Sequence, residues 1–322
     1  MCFNCREVCP EEAITFTPRT TTENSYAEPD ISRRGFALSI ASGVLASKAI
    51  SLASTTGQNY NSMLVRPPGA LPEEEFQKRC LKCGQCIRVC PTNVIQPAGI
   101  NLGLVNMWTP IMNNRIGSSG CQINCTACGQ VCPTAAIRPI TLDEKHGTGD
   151  FADAGHIKIG TAFVDRNRCL PWAMGKPCIV CEENCPVSPK AIRTLEIYEP
   201  LEHSSLLVNA ADGNHLTIAS LPDINITTGD YYVAAGSSRY KITERNGNVI
   251  ALQKPLDDSD RAVVEKSHSA ELLVRLQRPM VDINRCIGCG TCEHECPVSG
   301  KRAIRISAEG ETRNRGSRLL LE

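Results

Sequence analysis

Cysteines gathered in four short runs constrain this chain more than any other feature of its sequence. Each run ends in three cysteines spaced C-x2-C-x3-C and followed directly by proline. The first and last runs read C-x2-C-x2-C-x3-C-P without deviation, which is the ligand spacing of bacterial [4Fe–4S] ferredoxins. The four runs are Cys80/Cys83/Cys86/Cys90, Cys121/Cys125/Cys128/Cys132, Cys169/Cys178/Cys181/Cys185 and Cys286/Cys289/Cys292/Cys296.

These runs predict four [4Fe–4S] clusters bound by sixteen cysteines. In such a motif three close cysteines wrap one cluster, and the cysteine next to proline binds a neighbouring cluster. Structural zinc usually takes two separated cysteine pairs, and disulfide frameworks belong to small secreted scaffolds, whereas this chain has 322 residues. Zinc and disulfides are therefore the less favoured interpretations.

Composition supports a cluster-dependent fold and gives no sign of a nucleic-acid partner. The chain has 34 basic and 34 acidic residues, so it lacks the basic bias of nucleic-acid-binding domains. Aromatic residues make up only 4%, although large aromatic side chains normally supply much of a core. We expect the clusters to serve as part of the core and folding to depend on them.

Three further cysteines near the start form an incomplete motif. Cys2, Cys5 and Cys9, with Pro10 after them, repeat the C-x2-C-x3-C-P spacing without its first cysteine. The favoured interpretation is that Met1 is an internal methionine of a longer protein, which would add a fifth cluster. The alternative is a true start, with a three-cysteine site that is empty or holds a [3Fe–4S] cluster.

An export signal follows this motif. Arg33-Arg34 precedes a weakly apolar stretch, Phe36–Ala53, as in twin-arginine signals. The pattern predicts a cluster-bearing body on the periplasmic side of the bacterial inner membrane, a membrane-associated segment, and residues 1–30 in the cytoplasm. Lys48 weakens a spanning interpretation, because a lysine at mid-membrane is costly. The alternative is an ordinary buried helix.

Strand-like segments indicate which cysteine runs share a domain. Ala136–Ile140 follows the second run, and Ile157–Asp165 leads into the third. With Ala191–Ile197 after the third run, this order matches one two-cluster ferredoxin. The first and fourth runs are then left as partners. We therefore predict an α+β fold of two ferredoxin-like units, one inserted in the other, together with a small all-β insertion.

This nested arrangement predicts particular ligand sets. Sequential pairing of the first run with the second is the open alternative, disfavoured because residues 91–120 show no clear hairpin. The nested sets are Cys80/Cys83/Cys86/Cys296, Cys286/Cys289/Cys292/Cys90, Cys121/Cys125/Cys128/Cys185 and Cys169/Cys178/Cys181/Cys132.

The cysteine-free segment 201–278 is predicted to be a small β module. Its strand-like runs are Leu216–Leu221, Tyr231–Ala235, Arg239–Thr243 and Val249–Leu252. Asn246-Gly247 is a strong hairpin turn signal. The predicted divisions are 1–30 (remnant motif and linker), 31–56 (signal or anchor), 57–120 (first half of the split ferredoxin unit), 121–200 (inserted unit), 201–278 (β module) and 279–322 (second half of the split unit).

The third run departs from the rule because eight residues separate Cys169 from Cys178. Trp172 stands where the second cysteine normally falls, so a [3Fe–4S] cluster is one interpretation. A loop can bulge and keep both ends at one cluster at small entropic cost. We favour a full [4Fe–4S] site that includes Cys178.

No enzymatic apparatus competes with electron transfer in this sequence. It shows no dinucleotide fingerprint after a strand and no nucleophile motif. Lys82, Arg88 and Arg285, beside cluster loops, could guide a docking partner, although solvated charge is the commoner role. A cluster-bearing subunit of a redox enzyme and an iron–sulfur sensor or assembly protein are the alternatives.

The chain resembles the NapG-type polyferredoxins that accompany periplasmic nitrate reductase. The resemblance rests on the twin-arginine signal, Pro67–Ala70, Arg79–Cys86, the widened third run and the order of the four runs. Residues Cys2–Glu11 look like the tail of a NapH-type membrane ferredoxin. The resemblance implies electron flow from a membrane quinol-oxidising ferredoxin, through the clusters, to a periplasmic redox acceptor.

Overall fold

The computed structural model describes residues 32–55, 61–220 and 230–313. The chain divides into two compact units, Met1–Gly57 and Gln58–Glu322. In the first unit, the described residues form a helix, Arg33–Thr55. No helix in the described ranges is long and apolar enough to cross a membrane. The predicted incomplete motif, Cys2, Cys5 and Cys9, lies outside the described residues.

In the second unit, the first two cysteine runs belong to one ferredoxin-like fold. Two short strands between the runs, Ile95–Pro97 and Pro110–Met112, pair antiparallel. Ala70, before the first run, bridges Ile137, after the second. The helices of this part are Glu73–Arg79, Gln85–Val89 and Ala127–Gln130. The first run therefore shares a domain with the second.

The third and fourth runs form the other ferredoxin-like fold. The strand that precedes the third run, Thr161–Val164, pairs antiparallel with Ile304–Ser307, which follows the fourth. The strand after the third run, Ile192–Asp212, pairs with Ser269–Val281, which leads into the fourth. The short helices here are Leu170–Ala173, Val180–Glu183 and Thr291–Glu295. A further helix, Leu142–His146, belongs to the chain segment that connects the two folds.

The predicted nested arrangement is therefore wrong, and the sequential alternative describes the molecule. The hairpin in residues 91–120 escaped detection because its strands are three residues long and carry Pro97 and Pro110 at their loop ends. Strands this short show no alternation of apolar and polar residues. The predicted division at 121 assumed nesting and cuts through one fold, since Cys121 shares a site with Cys90.

A closed β-barrel is inserted into the central hairpin of the second ferredoxin-like fold. Two long strands leave the hairpin and continue into the barrel, so the barrel is an extension of that hairpin. Around the barrel the strands follow the order Ile192–Asp212, His215–Ile218, Val249–Leu252, Ser238–Asn246, Tyr231–Ala235 and Ser269–Val281.

The barrel also contains a helix that the sequence prediction missed. Asp258–Ser267 is helical and packs its buried Val264 into the barrel core. The expectation of an all-β module is wrong in this element. The hairpin predicted at Asn246-Gly247 is present, but its two-residue turn is Gly247-Asn248, because Asn246 lies opposite Val249. Gly247 has a φ of +61°, a region glycine adopts without strain.

Of the three hydrophobic cores in the described residues, the two large ones belong to the cysteine sites and to the barrel. One core combines aliphatic side chains such as Ile137 and Ile304 with the cysteines of all four runs. The other fills the barrel around Tyr240 and Leu272, both fully buried. Each buried aliphatic side chain contributes about 1.5–3 kcal/mol, so the barrel has a core of its own.

Candidate iron–sulfur sites

The first set of thiols, site A, surrounds a small cavity next to the helix Gln85–Val89. The loop before this helix turns at Lys82 and Gly84, whose φ angles are +54° and +73°. This tight turn directs three cysteines of the first run into the cavity, and the last cysteine of the second run completes the lining. Site A comprises Cys80, Cys83, Cys86 and Cys132.

The second set, site B, mirrors the first. Its cavity is lined by three cysteines of the second run and by the last cysteine of the first run. Pro91, directly after that cysteine, also lines the cavity. Site B comprises Cys90, Cys121, Cys125 and Cys128.

The third and fourth runs exchange their last cysteines in the same way. Burial, followed by the nearby thiols of its own set, raises the pKa of Cys181 to about 12, and Cys296 is one of those thiols. Burial also raises the pKa of Cys292 well above its usual range, with Cys185 among the neighbours that add to the effect. We call Cys185/Cys286/Cys289/Cys292 site C and Cys169/Cys178/Cys181/Cys296 site D.

The structure thus brings together the predicted sixteen cysteines in four sets, but not in the predicted sets. The three close cysteines of each run stay together as expected. The last cysteine crosses to the adjacent run of its own ferredoxin-like fold: Cys132 joins site A, Cys90 site B, Cys185 site C and Cys296 site D. The predicted crossings followed from nesting and are wrong for the same reason.

Trp172 does not occupy a ligand position in site D. Its indole N–H donates to the carbonyl of Pro279 at 3.4 Å. The guanidinium groups of Arg166 and Arg278 lie over its ring, 4.3 Å and 4.7 Å from the ring centre. The eight-residue gap loops around this tryptophan, and Cys178 joins the set instead.

Backbone and side-chain donors point at several sulfurs. The N–H of Ala162 donates to Cys286 Sγ at 3.3 Å, and the N–H of Ile137 donates to Cys132 Sγ at 3.4 Å. Although burial alone raises the pKa of Cys132, its N–H donors lower the value overall. Such donors stabilise a thiolate, which is the form that binds metal.

The most buried thiols are strongly protonated in the absence of a cation. Burial raises the pKa of Cys128 to about 12 and that of Cys86 to about 11. A bound iron–sulfur cluster would replace these protons. In the described ranges no group of three or more His, Cys, Asp or Glu side chains is gathered closely enough to hold a single metal ion.

The four sites lie in a series. Cys86 of site A is close enough to Cys128 of site B to influence its pKa. Sites B and C meet directly, because the N–H of Cys121 donates to the carbonyl of Cys289 at 2.7 Å. Cys181 of site D in turn influences Cys292 of site C. The spatial order is therefore A–B–C–D, although the chain supplies the central loop of site D before that of site C.

Site A is the most open end of this series. Cys83 is exposed, and the neighbouring side chains of Leu81 and Trp108 are 68% and 63% exposed. Of the cations predicted to guide a partner, Lys82 donates to the carbonyl of Val105 and Arg285 pairs with Asp282. Arg88 is exposed.

Comparison with known proteins agrees with this geometry. The 4Fe-4S binding domain family matches residues 76–96 and 277–298, the segments with the undeviating runs. The ferredoxin-type protein NapG of Escherichia coli (strain K12) is 32% identical over 174 residues, which cover 53% of this chain and 70% of that protein. This chain belongs to the ferredoxin-type NapG family.

This chain is also similar to methylamine utilization ferredoxin-type proteins. MauM of Methylorubrum extorquens is 32% identical over 154 residues, covering 48% of this chain and 64% of that protein. MauM of Paracoccus denitrificans is 24% identical over 269 residues, covering 82% of each chain. Together with the cysteine sites, these relatives identify an iron–sulfur, ferredoxin-type electron-transfer protein.

The sequence analysis overlooked one functional neighbour of the sites, Lys145. Its side chain is buried and contacts site B. Lys145 sits in a short segment, Leu142–His146, whose capping residue Thr141 accepts from the N–H of Glu144 at 3.1 Å. That N-cap pattern was the available signal for an ordered helix in this segment.

Proposed function

We propose that sites A to D each hold one [4Fe–4S] cluster and that electrons pass singly along the series A–B–C–D. The direct contact of sites B and C through Cys121 and Cys289 carries this proposal. It joins two ferredoxin-like folds, each with two sites, into one continuous series. When bound, the clusters supply reversible one-electron chemistry, while the protein sets each potential through hydrogen bonds and burial.

Counting irons tests the number of clusters. We expect about sixteen irons and equal sulfide on residues 57–322, at four of each per cluster. A yield near eight irons after full reconstitution, or stoichiometric zinc, would contradict the proposal. The oxidised protein could also give an EPR signal that disappears in Cys178→Ser. That result would show that site D holds a [3Fe–4S] cluster instead of a [4Fe–4S] cluster.

Magnetic coupling tests the order of the series. In the fully reduced protein, adjacent clusters should broaden each other's EPR spectra. Removing the cluster of site B with Cys125→Ser should leave the cluster of site A with an uncoupled spectrum. Removing the cluster of site A with Cys83→Ser should leave B, C and D coupled. Identical spectra from the two variants would refute the order.

We further propose that the protein is exported and works between a membrane quinol-oxidising, NapH-like donor and a periplasmic acceptor. Support comes from Arg33-Arg34 at the start of a 23-residue helix whose Leu38 and Leu45 side chains are each 70% exposed. Replacing both arginines by lysine should keep the loaded protein in the cytoplasm. Unchanged protease accessibility from the periplasm would rule out export by the twin-arginine route.

The donor is tested with quinol-containing membranes. Reduced membranes from cells that contain the NapH-like protein should reduce the clusters quickly, and membranes without it should not. Equal reduction rates with both preparations would show that the NapH-like protein is not the donor. The proposed electron transfer along sites A to D would not be affected.

A further inference from the structure

The segment that connects the two ferredoxin-like folds contains two lysines. One lies at site B and the other lies next to the loop of site C. Lys145 Nζ donates to the carbonyls of Gln122 and Cys125 at 2.7 Å and 2.6 Å, and lies 3.6 Å from Cys121 Sγ. An ammonium group has three donors, and each finds an acceptor in the loop of site B. The side chain therefore fits this position as a cation.

Lys158 has the matching position at site C. Its ammonium group donates to the carbonyl of Ile283 at 2.5 Å, just before the loop that begins at Cys286. The next residue, Ile159, donates its N–H to the carbonyl of Ile287 at 3.1 Å inside that loop. The N–H of Ile157 donates to the carbonyl of Lys145 at 3.0 Å, so the two lysines are held on one backbone unit.

Neither lysine forms an ion pair with a carboxylate in the described part of the chain. Glu144, next to Lys145, is engaged by Arg138. Lys145 is buried and Lys158 is half-buried, and a cation removed from water is costly unless an opposite charge compensates it. An iron–sulfur cluster with four thiolate ligands is an anion, and it is the compensating charge that sites B and C would supply.

The cations near the outer sites are placed differently. At site A, buried Arg66 is neutralised by Glu73 at 2.6 Å. At site D, Arg278 pairs with Glu199, and Arg166 is exposed. Paired or exposed charges act weakly on a cluster, because the field of a partner or of water cancels much of theirs.

We propose that Lys145 and Lys158 raise the reduction potentials of the clusters at sites B and C above the values that those sites would otherwise have. Reduction adds one negative charge to a cluster, and a nearby unpaired ammonium stabilises the more negative state. Each lysine therefore favours the reduced state of the cluster that it contacts. The inference rests on the proposed function, since it requires clusters at these sites.

EPR-monitored redox titration of the whole protein tests this proposal. Lys145→Gln should lower the potential of the site B cluster by about 59 mV or more, equal to a tenfold change in its one-electron equilibrium constant. Site B is assigned by the signals missing from Cys125→Ser. Lys158→Gln should lower the potential of the site C cluster in the same direction. The Lys145 shift should persist in 1 M salt, because burial limits screening, whereas the shift from half-buried Lys158 should be smaller there.

Lys190→Gln is the matched control. Lys190 is exposed beside the third run and donates to the carbonyl of Glu183 at 3.2 Å. Removing this charge should shift no cluster potential in 1 M salt, where screening acts within about 3 Å. A shift as large as that of Lys145→Gln would show that overall charge, not a placed ammonium, sets the potentials.

Iron content separates the remaining outcomes. Unchanged potentials in lysine variants with about sixteen irons would overturn the proposal. Loss of the adjacent cluster from a variant would also overturn it, because the lysine would then only support the loop. Fewer clusters in the unmodified protein would instead refute the proposed function, before any variant is titrated.

Discussion

Cys132 ends the second cysteine run, yet its thiol lines the same cavity as Cys83 of the first run. The exchange is reciprocal, since Cys90 of the first run lines the cavity of site B. Each cluster site of this fold therefore depends on both runs. Loss of one terminal cysteine should damage the site across the exchange, not the site of its own run.

Double variants distinguish this exchange from nested pairing. Cys90→Ser with Cys121→Ser removes two ligands of site B, so about twelve irons should remain of about sixteen. Cys90→Ser with Cys286→Ser strikes sites B and C and should leave about eight. Nested pairing predicts the reverse result for the two doubles, so iron analysis of both decides between them.

Gly120→Ala should separate the two ferredoxin-like folds at sites B and C. A methyl group on Gly120 would collide with the backbone of Cys289 and Thr291, which cannot move aside as a side chain can. We expect loss of the EPR coupling between the two inner clusters while the iron content is kept. Gly99→Ala is the control, since its methyl group would meet only the Asn101 side chain. Retained coupling in Gly120→Ala would argue against the direct contact.

Glu73 should stabilise the first fold in a pH-dependent way. Burial alone raises the pKa of this carboxyl, but Arg66 and Arg313 together lower it to about 2. A lowered folded-state pKa gives stability that is present above about pH 4.5 and is lost as the pH falls toward 2. Glu73→Gln should cost on the order of 3 kcal/mol at pH 7.

Thermal unfolding at several pH values checks this expectation. The difference between Glu73→Gln and the unmodified protein should be largest at pH 7 and shrink below pH 4.5. Glu74→Gln is the control, because its exposed pair with Lys78 contributes little. A difference that grows toward acid pH would contradict the stated role of Glu73.

The barrel should be removable without loss of the clusters. Pro200 and Leu273 face each other across the two long strands, so Asn-Gly could replace residues 201–272 as a two-residue hairpin turn. We expect the shortened protein to keep about sixteen irons. Loss of the clusters at sites C and D alone would show that the barrel core supports the second fold.

Local spacing in the sequence predicted much of the site but not its pairing. The C-x2-C-x3-C-P runs place three thiols in one loop wherever they occur, so the sequence selects the same sixteen cysteines that the structure groups into four sets. Pairing depends on which strands meet, and Ile192 meets Val281 across the whole inserted barrel. A strand's own residues do not reveal so distant a partner.

Other differences have similar physical causes. Ile157–Asp165 was predicted to share a ferredoxin unit with Ala136–Ile140, yet Thr161–Val164 pairs with Ile304–Ser307. Both candidate partners are short and apolar, so pattern alone could not choose. The helix Asp258–Ser267 has a weakly apolar face, since Asp260 and Val264 are the buried members. Because most residues of this helix are polar, the sequence pattern did not distinguish it from the strand-like segments beside it.

The position of the barrel in the chain also determines the order in which the cysteine sites are completed during synthesis. The cysteines of sites A and B are all synthesised once the ribosome has passed Cys132. Sites C and D each need cysteines from both sides of the barrel, so site C is complete only when Cys292 emerges and site D only when Cys296 emerges. Because domains tend to fold from the N-terminus during synthesis, the first pair of clusters can mature while the second pair waits for the barrel to close.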